Sequence, residues 1–282
     1  MSRNAKDHVA RTQVRPSSLA RGRIMPRDLQ VLGGVHDHKV MRTEHLHHLY
    51  FPGAGERSVR LRLRKLHGYG LLDRFRPLSL RGSNPYHWVL GSAGARLLAQ
   101  KRGAEAVSYR FERAAGVADS PRLGHILGLV DCLVAFTLAA RTTPGAELVQ
   151  WLNEAECAQR WGRHARPDAY VRWEQEGEQA HVFVEYDTGS ETLAMVRDKM
   201  TGYADLARAT RFPSVVLFVV HSRSRESNLA GVLAPRSSSR AAAYLATYAD
   251  LAGPGPAGAV WRSAHSQDRL TLTQVAERHP ID

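Results

Sequence analysis

Three acidic side chains in the second half of the chain have types and spacing suited to chemistry. Asp168 follows Arg166-Pro167, and Glu185 and Asp187 lie in the run Val182-Phe183-Val184-Glu185-Tyr186-Asp187. That run reads as a strand, along which side chains alternate between faces. Glu185 and Asp187 therefore share one face, with Val182, Val184 and Tyr186 on the other. Carboxylates gathered at a sheet edge are poorly placed for a core and well placed to hold a hard divalent cation, as in the metal site of a nuclease. A plainer reading puts Asp168 in a turn after proline and pairs Glu185 and Asp187 with Arg166 or Arg172 across strands.

Charge says what such a site could meet. The 282-residue chain has a formal net charge of +12, unevenly spread. Residues 1–115 hold 22 Lys+Arg against 8 Asp+Glu, and the remainder 17 against 19. A basic first half beside a nearly neutral second half implies two modules, the first with a polyanionic partner. Double-stranded DNA is the leading candidate. Arginine makes up 34 of the 39 basic residues; guanidinium grips phosphates and guanine edges bidentately, although a GC-rich genome also enriches it. Cys132 and Cys157 fall in segments that read as buried helix, so no disulfide is expected and a reducing cytoplasm fits. No apolar run reads as long enough to span a bilayer, so no membrane partner is expected. Residues 1–23 lack hydrophobic periodicity and read as a disordered basic arm.

The elements that position these groups can be read in outline. A helix starts near Pro26 with Leu29, Leu32 and Val35 inward; a second carries Leu46, Leu49 and Tyr50 after Thr43 as N-cap. A third runs from about Glu56 to His67 with Val59, Leu63 and Leu66 on one face and Arg57, Arg60, Arg64 and Lys65 mostly off it. Leu71–Phe75 and Tyr86–Leu90 read as strands joined by a polar loop, and Ser92 opens another helix. Three helices and a hairpin is the order of a winged helix-turn-helix over residues 24–115, whose third helix enters the major groove. Arg57, Arg60, Arg64, Lys65, Arg74, Arg76 and Arg81 are its candidate DNA-binding residues. The alternative is that these cations form only a solvated face.

Residues 116–282 read as an α/β domain with a mixed sheet. It begins with a helix over 121–140, apolar nearly all round, suited to a domain junction or a homodimer interface; residues 116–145 form this linking or dimerisation segment. A helix-like stretch lies near Ala155–Arg160. After Asp187 come a turn, a helix from about Glu191 to Ala209, a buried strand at Val215–Val220, a helix around Ala241–Leu251 and a strand at Ala259–Trp261.

The order Pro167-Asp168, hairpin, then an apolar strand with Glu185 resembles the restriction-endonuclease-like PD-(D/E)xK superfamily. That resemblance implies Mg²⁺ (or Mn²⁺) on Asp168 and Glu185, and a lysine two residues after the glutamate. Asp187 stands there instead, counted with Asp168 and Glu185 among the metal and catalytic candidates. Lys199, the one lysine of the second half, lies on the following helix and is the substitute, with Tyr203 one turn on and Glu154 as an additional helical acid. In this scheme the metal polarises a phosphoryl oxygen and Lys199 stabilises the growing charge.

As a whole the chain resembles the replication-relaxation family of plasmids and integrative elements. The resemblance rests on Arg27-Asp28-Leu29, Arg60-Leu61-Arg62-Leu63-Arg64-Lys65-Leu66, Tyr86-His87-Trp88-Val89-Leu90-Gly91, Arg166-Pro167-Asp168 and Glu185-Tyr186-Asp187-Thr188-Gly189 with Lys199 and Tyr203. It implies a DNA-binding protein of a mobile element that serves replication, relaxation or transfer, with replication or transfer proteins of that element as partners and DNA nicking as an activity. The alternative is a non-enzymatic transcriptional or copy-number regulator. Other motifs are weaker: His36, His38, His45, His47 and His48 lack a cysteine or carboxylate to complete a zinc site, and neither a P-loop nor a Gly-x-Ser-x-Gly elbow is present.

Overall fold

The computed structural model describes residues 24–77, 84–102 and 116–281; the expected basic arm and Arg81 lie outside the described residues. The chain is α/β and divides between Val130 and Asp131 into two compact units.

In the first unit, α1 (Pro26–His38), β1 (Met41–Arg42), α2 (Thr43–Tyr50), α3 (Glu56–Gly68), β2 (Leu72–Phe75), β3 (His87–Leu90) and α4 (Ser92–Arg102) follow in order. Pro26 opens α1 with φ already helical, and the Asp28 carboxylate accepts the Met25 backbone N–H at 2.6 Å. Along α3 the stripe Val59, Leu63 and Leu66 is fully buried, as the spacing predicts. Arg57, Arg60, Arg64 and Lys65 are exposed. Arg62 behaves differently from its neighbours: its Nε donates to Asp28 at 2.8 Å, tying α3 to the start of α1. The strands order as β1-β3-β2, all antiparallel. The two-residue β1 exists because Met41 pairs with Trp88, a long-range partner that composition does not reveal. Beside the sheet, Gly94 lets α4 start close to the α3–β2 turn; a Cβ there would stand 2.2 Å from the Leu71 carbonyl oxygen.

The division between the units falls inside α5 (Leu123–Thr142). Val130 belongs to the first core, and Cys132, Phe136 and Ala139 to the second. Contrary to the expectation from apolar runs, this 20-residue helix has the length and mean hydropathy (1.9) to cross a membrane; 44% of its most apolar window is buried. The sequence shows the helix as apolar nearly all round, but His125 and Asp131 interrupt it, so no unbroken apolar run reaches that length.

The second unit is a seven-stranded mixed sheet in the order β10-β9-β8-β7-β6-β5-β4. Its strands are β4 (Ala146–Asn153), β5 (Ala169–Gln175), β6 (Glu178–Asp187), β7 (Ser214–Val220), β8 (Ala241–Thr247), β9 (Trp261–Ser263) and β10 (Arg269–Leu270). β6, β7 and β8 run parallel and the other neighbours antiparallel. β5 and β6 are joined at Glu176-Gly177, both at positive φ (55° and 88°), the pairing a tight hairpin needs. α6 (Glu154–Trp161), α7 (Leu193–Thr210), α8 (Arg223–Leu233), α9 (Tyr248–Ala252) and α10 (Leu272–Arg278) complete it. Residues of α7 and α8 pack on one sheet face with Phe183, Val216 and Phe218. The C-terminal part of α5 and α10 pack on the other with Val182, Val184 and Leu217.

Two expectations change here. The predicted helix around Ala241–Leu251 is the buried strand β8 followed by the short α9. Ala-Ala-Ala-Tyr-Leu-Ala favours helix locally, but a central position between β7 and β9 buries it on both faces and overrides propensity. The sequence reading also has no counterpart of α8, whose Arg-Ser-Arg-Glu-Ser-Asn start is too polar to show a clear apolar stripe.

Candidate functional site

The β5–β6 register places Ala169 opposite Val184, so one further step sets Asp168 opposite Glu185, on the α7 side of the sheet. Both are buried, at 8% and 3% exposure. Asp168 Oδ2 accepts the Tyr186 backbone N–H at 2.9 Å. Glu185 receives two side chains from α7, one turn apart: Lys199 Nζ donates to Oε2 at 2.8 Å and the Tyr203 hydroxyl to Oε1 at 2.5 Å. Glu191, in the turn before α7, holds Lys199 from the other side at 2.9 Å.

The electrostatics follow from this crowding. Burial, reinforced by the negative charge of Asp168, pushes the Glu185 carboxyl up to about 7, against the opposing pull of Lys199 and Tyr203. Burial alone would lower the Lys199 ammonium, but the Glu185 charge and the bonds to Glu185 and Glu191 outweigh it and hold it above its ordinary value. Burial and the Glu185 charge raise the Tyr203 phenol well above its usual range, so it stays a hydrogen-bond donor.

Asp187 shares the strand face with Glu185 but is taken up elsewhere. Arg225 of α8 donates to it through Nε at 2.6 Å and Nη2 at 3.2 Å, and the Gly189 N–H adds a bond at 2.8 Å. Asp187 thus fixes the β6–α7 turn. Among the described residues no group of three or more His, Cys, Asp or Glu is gathered as for a metal ion. Glu154 stands half-buried at the start of α6. The histidines of the first unit serve locally: His45 is buried and accepts the Arg42 backbone N–H at 3.1 Å, and His47 donates to the Ala54 carbonyl at 2.7 Å.

The first unit carries a second constellation. α2, α3 and the β2–β3 hairpin enclose a concavity of about 540 Å³ that Arg60, Arg64, Arg74 and Arg76 line, with Glu44 and Glu56 as its acids. The Tyr86 ring carries two of these cations, with Arg74 and Arg76 at 3.9 and 3.8 Å from its centroid, so ring and guanidiniums order one another. Arg60 pairs with Glu56 at 2.5 Å, but both are largely exposed, and such a pair is weak enough to yield to a phosphate. Arg57 and Lys65 are exposed on α3 outside the lining. Sequence reasoning missed Tyr86 as the organiser of Arg74 and Arg76. It also missed Arg225, which lies on the unrecognised α8.

Fold and sites define a two-unit α/β protein, with a basic cleft on one unit and a buried carboxylate–lysine–tyrosine cluster on the other. The chain belongs to the replication-relaxation family, whose pattern matches residues 32–215. The matched segment contains the cleft as well as Asp168, Glu185, Lys199 and Tyr203, and stops before Arg225. No curated protein and no solved structure matches the chain.

Proposed function

We propose that this protein is a cytoplasmic DNA-binding protein that acts in replication, relaxation or transfer of a plasmid or other mobile element, gripping duplex DNA with its first unit. The observation that carries this reading is the cleft between α3 and the hairpin, with four arginines on its walls. The order of helices and antiparallel strands around it supports a winged helix-turn-helix. In that arrangement α3 enters the major groove and the hairpin follows the backbone. Arg57 and Lys65, exposed on α3, add phosphate contacts at the rim. The test is duplex affinity in Arg60→Glu/Arg64→Glu: a loss of at least tenfold supports the reading, and unchanged affinity removes it.

A second activity, metal-dependent nicking, is favoured by one observation: Lys199 reaches Glu185 beside Asp168. The donor set fits Mg²⁺ or Mn²⁺, because two adjacent buried carboxylates, one driven toward neutrality, are what a hard cation relieves, and Mg²⁺ is often held by only one or two carboxylates. Asp168 and Glu185 would hold it, while Asp187 is committed to Arg225. Bound there, the metal supplies polarisation of a phosphoryl oxygen and a more acidic water. Lys199 would present positive charge where the phosphorane-like transition state gathers negative charge, and Tyr203 fixes the Glu185 rotamer. This reading makes the second unit a nuclease-like PD-(D/E)xK relative. Metal-dependent nicking of supercoiled plasmid, abolished in Asp168→Ala/Glu185→Ala, supports it. Absence of both nicking and metal binding leaves a non-enzymatic regulator whose second unit serves homodimerisation or binds replication proteins of the element.

A further inference from the structure

On the sheet face that carries Asp168 and Glu185, the next cross-strand pair is Tyr170 opposite Phe183, about 7 Å farther along the strands. Trp161 of α6 closes over both, its ring centroid 5.0 Å from Tyr170 and 5.1 Å from Phe183. Phe183 in turn lies 5.3 Å from Tyr203, which bonds Glu185. Trp161, Tyr170 and Phe183 line a recess of about 260 Å³. That is below the roughly 300–1,000 Å³ of a small-molecule site, and it suits one planar ring system better than a whole cofactor. Phe212, also in the lining, is 48% exposed, an apolar ring left in water beside an aromatic pocket.

A second recess of about 490 Å³ adjoins the first through Thr210, Phe212 and Pro213, and it carries Arg211 and Arg240. Both arginines are exposed. Arg211 ends α7 at φ 65°, the left-handed conformation that helix ends usually give to glycine, so a cation stands where glycine would fit with less strain. On the same sheet face Arg172 stands opposite His181 with its buried Nε lacking a hydrogen-bond partner. Among the described residues no acidic side chain lines either recess.

Rings alone would suit any apolar segment, and arginines alone any anion. Their contiguity selects a polyanion that also offers flat apolar faces. Duplex DNA keeps its bases stacked inside, so only an unpaired strand presents both. We propose that this double recess binds single-stranded DNA, with a base stacked at Phe212 and Trp161 and neighbouring phosphates on Arg211 and Arg240. The strand would then run past the Asp168–Glu185 pair. The proposal goes beyond duplex binding by the first unit and stands whether or not the carboxylates support hydrolysis.

The test uses the full chain with Arg60→Glu/Arg64→Glu in place, so that the cleft of the first unit is silenced, and a fluorescent single-stranded oligonucleotide. Binding should persist in that background. Phe212→Ala should weaken it about tenfold, within the range for losing one base–aromatic stack. Arg211→Gly/Arg240→Ala should weaken it comparably and flatten its salt dependence. An abasic oligonucleotide should bind less well and be insensitive to Phe212→Ala. Loss of all single-strand binding on silencing the cleft overturns the proposal, as does an affinity unchanged by Phe212→Ala. A Phe212→Ala variant that splits a dimer while keeping single-strand affinity also overturns it and makes the recess an interface between copies. Failure of the duplex reading is distinct, because it appears as unchanged duplex affinity in the silenced background.

Discussion

Replacing Lys199 by methionine isolates the electrostatics of the buried cluster. In the native fold the Glu185 carboxyl sits at about 7, against an ordinary value of 4.5, because burial and Asp168 outweigh Lys199 and Tyr203. The folded state therefore binds this proton more tightly than the unfolded state. Stability from the group is full below 4.5, declines as pH rises toward 7, and levels off above it. At about 1.4 kcal/mol per pH unit the decline amounts to about 3 kcal/mol. Methionine keeps the apolar stem but removes the ammonium 2.8 Å from Oε2, so the carboxyl moves higher still and the plateau above 7 disappears. Urea unfolding across this range should find the wild-type and Lys199→Met curves parallel below about pH 6. They should diverge by about 1 kcal/mol near pH 8, on top of a constant loss of up to about 1 kcal/mol from the half-exposed Glu191 contact. Glu185→Gln should remove the divergence. A gap that stays constant from acid to alkaline pH would refute the electrostatic coupling between Lys199 and Glu185.

Two further outcomes test the frame around the sites. Arg62→Ala should destabilise the first unit by about 3 kcal/mol in chemical denaturation, because it strands Asp28, 1% exposed, without its guanidinium partner; Arg64→Ala, on the exposed face, should shift stability by less than about 0.5 kcal/mol. Gly94→Ala should lower the thermal midpoint markedly, since its Cβ would lie 2.2 Å from a backbone oxygen that cannot swing away; in contrast Gly231→Ala, where a Cβ meets nothing, should be neutral or stabilising.

The legible parts of the fold were those written locally. Val59, Leu63 and Leu66 announce α3, the apolar run 215–220 announces β7, and Asp168, Glu185 and Lys199 are individually visible. Partner choice was not legible. Arg60, Arg62 and Arg64 look alike in sequence, yet Arg62 alone turns inward, because Asp28, 34 residues earlier, caps α1 beneath it. Asp187 resembles a metal ligand until Arg225, 38 residues later, is found against it. Tertiary position also overrode local preference at Ala241–Thr247, where a good helix sequence is held as a central strand. The aromatic recess likewise gathers Trp161, Tyr170, Phe183 and Phe212 from four separate elements or turns, none with a motif of its own.

The salt dependence of duplex binding tests the central claim most directly. Each phosphate neutralised in B-DNA contributes about −0.9 to the slope of log K against log[salt]. If Arg60 and Arg64 contact phosphates from within the cleft, the Arg60→Glu/Arg64→Glu variant should bind at least tenfold more weakly, with a slope shallower by about 2. Equal affinity and an unchanged slope in a folded variant would contradict DNA recognition through this cleft.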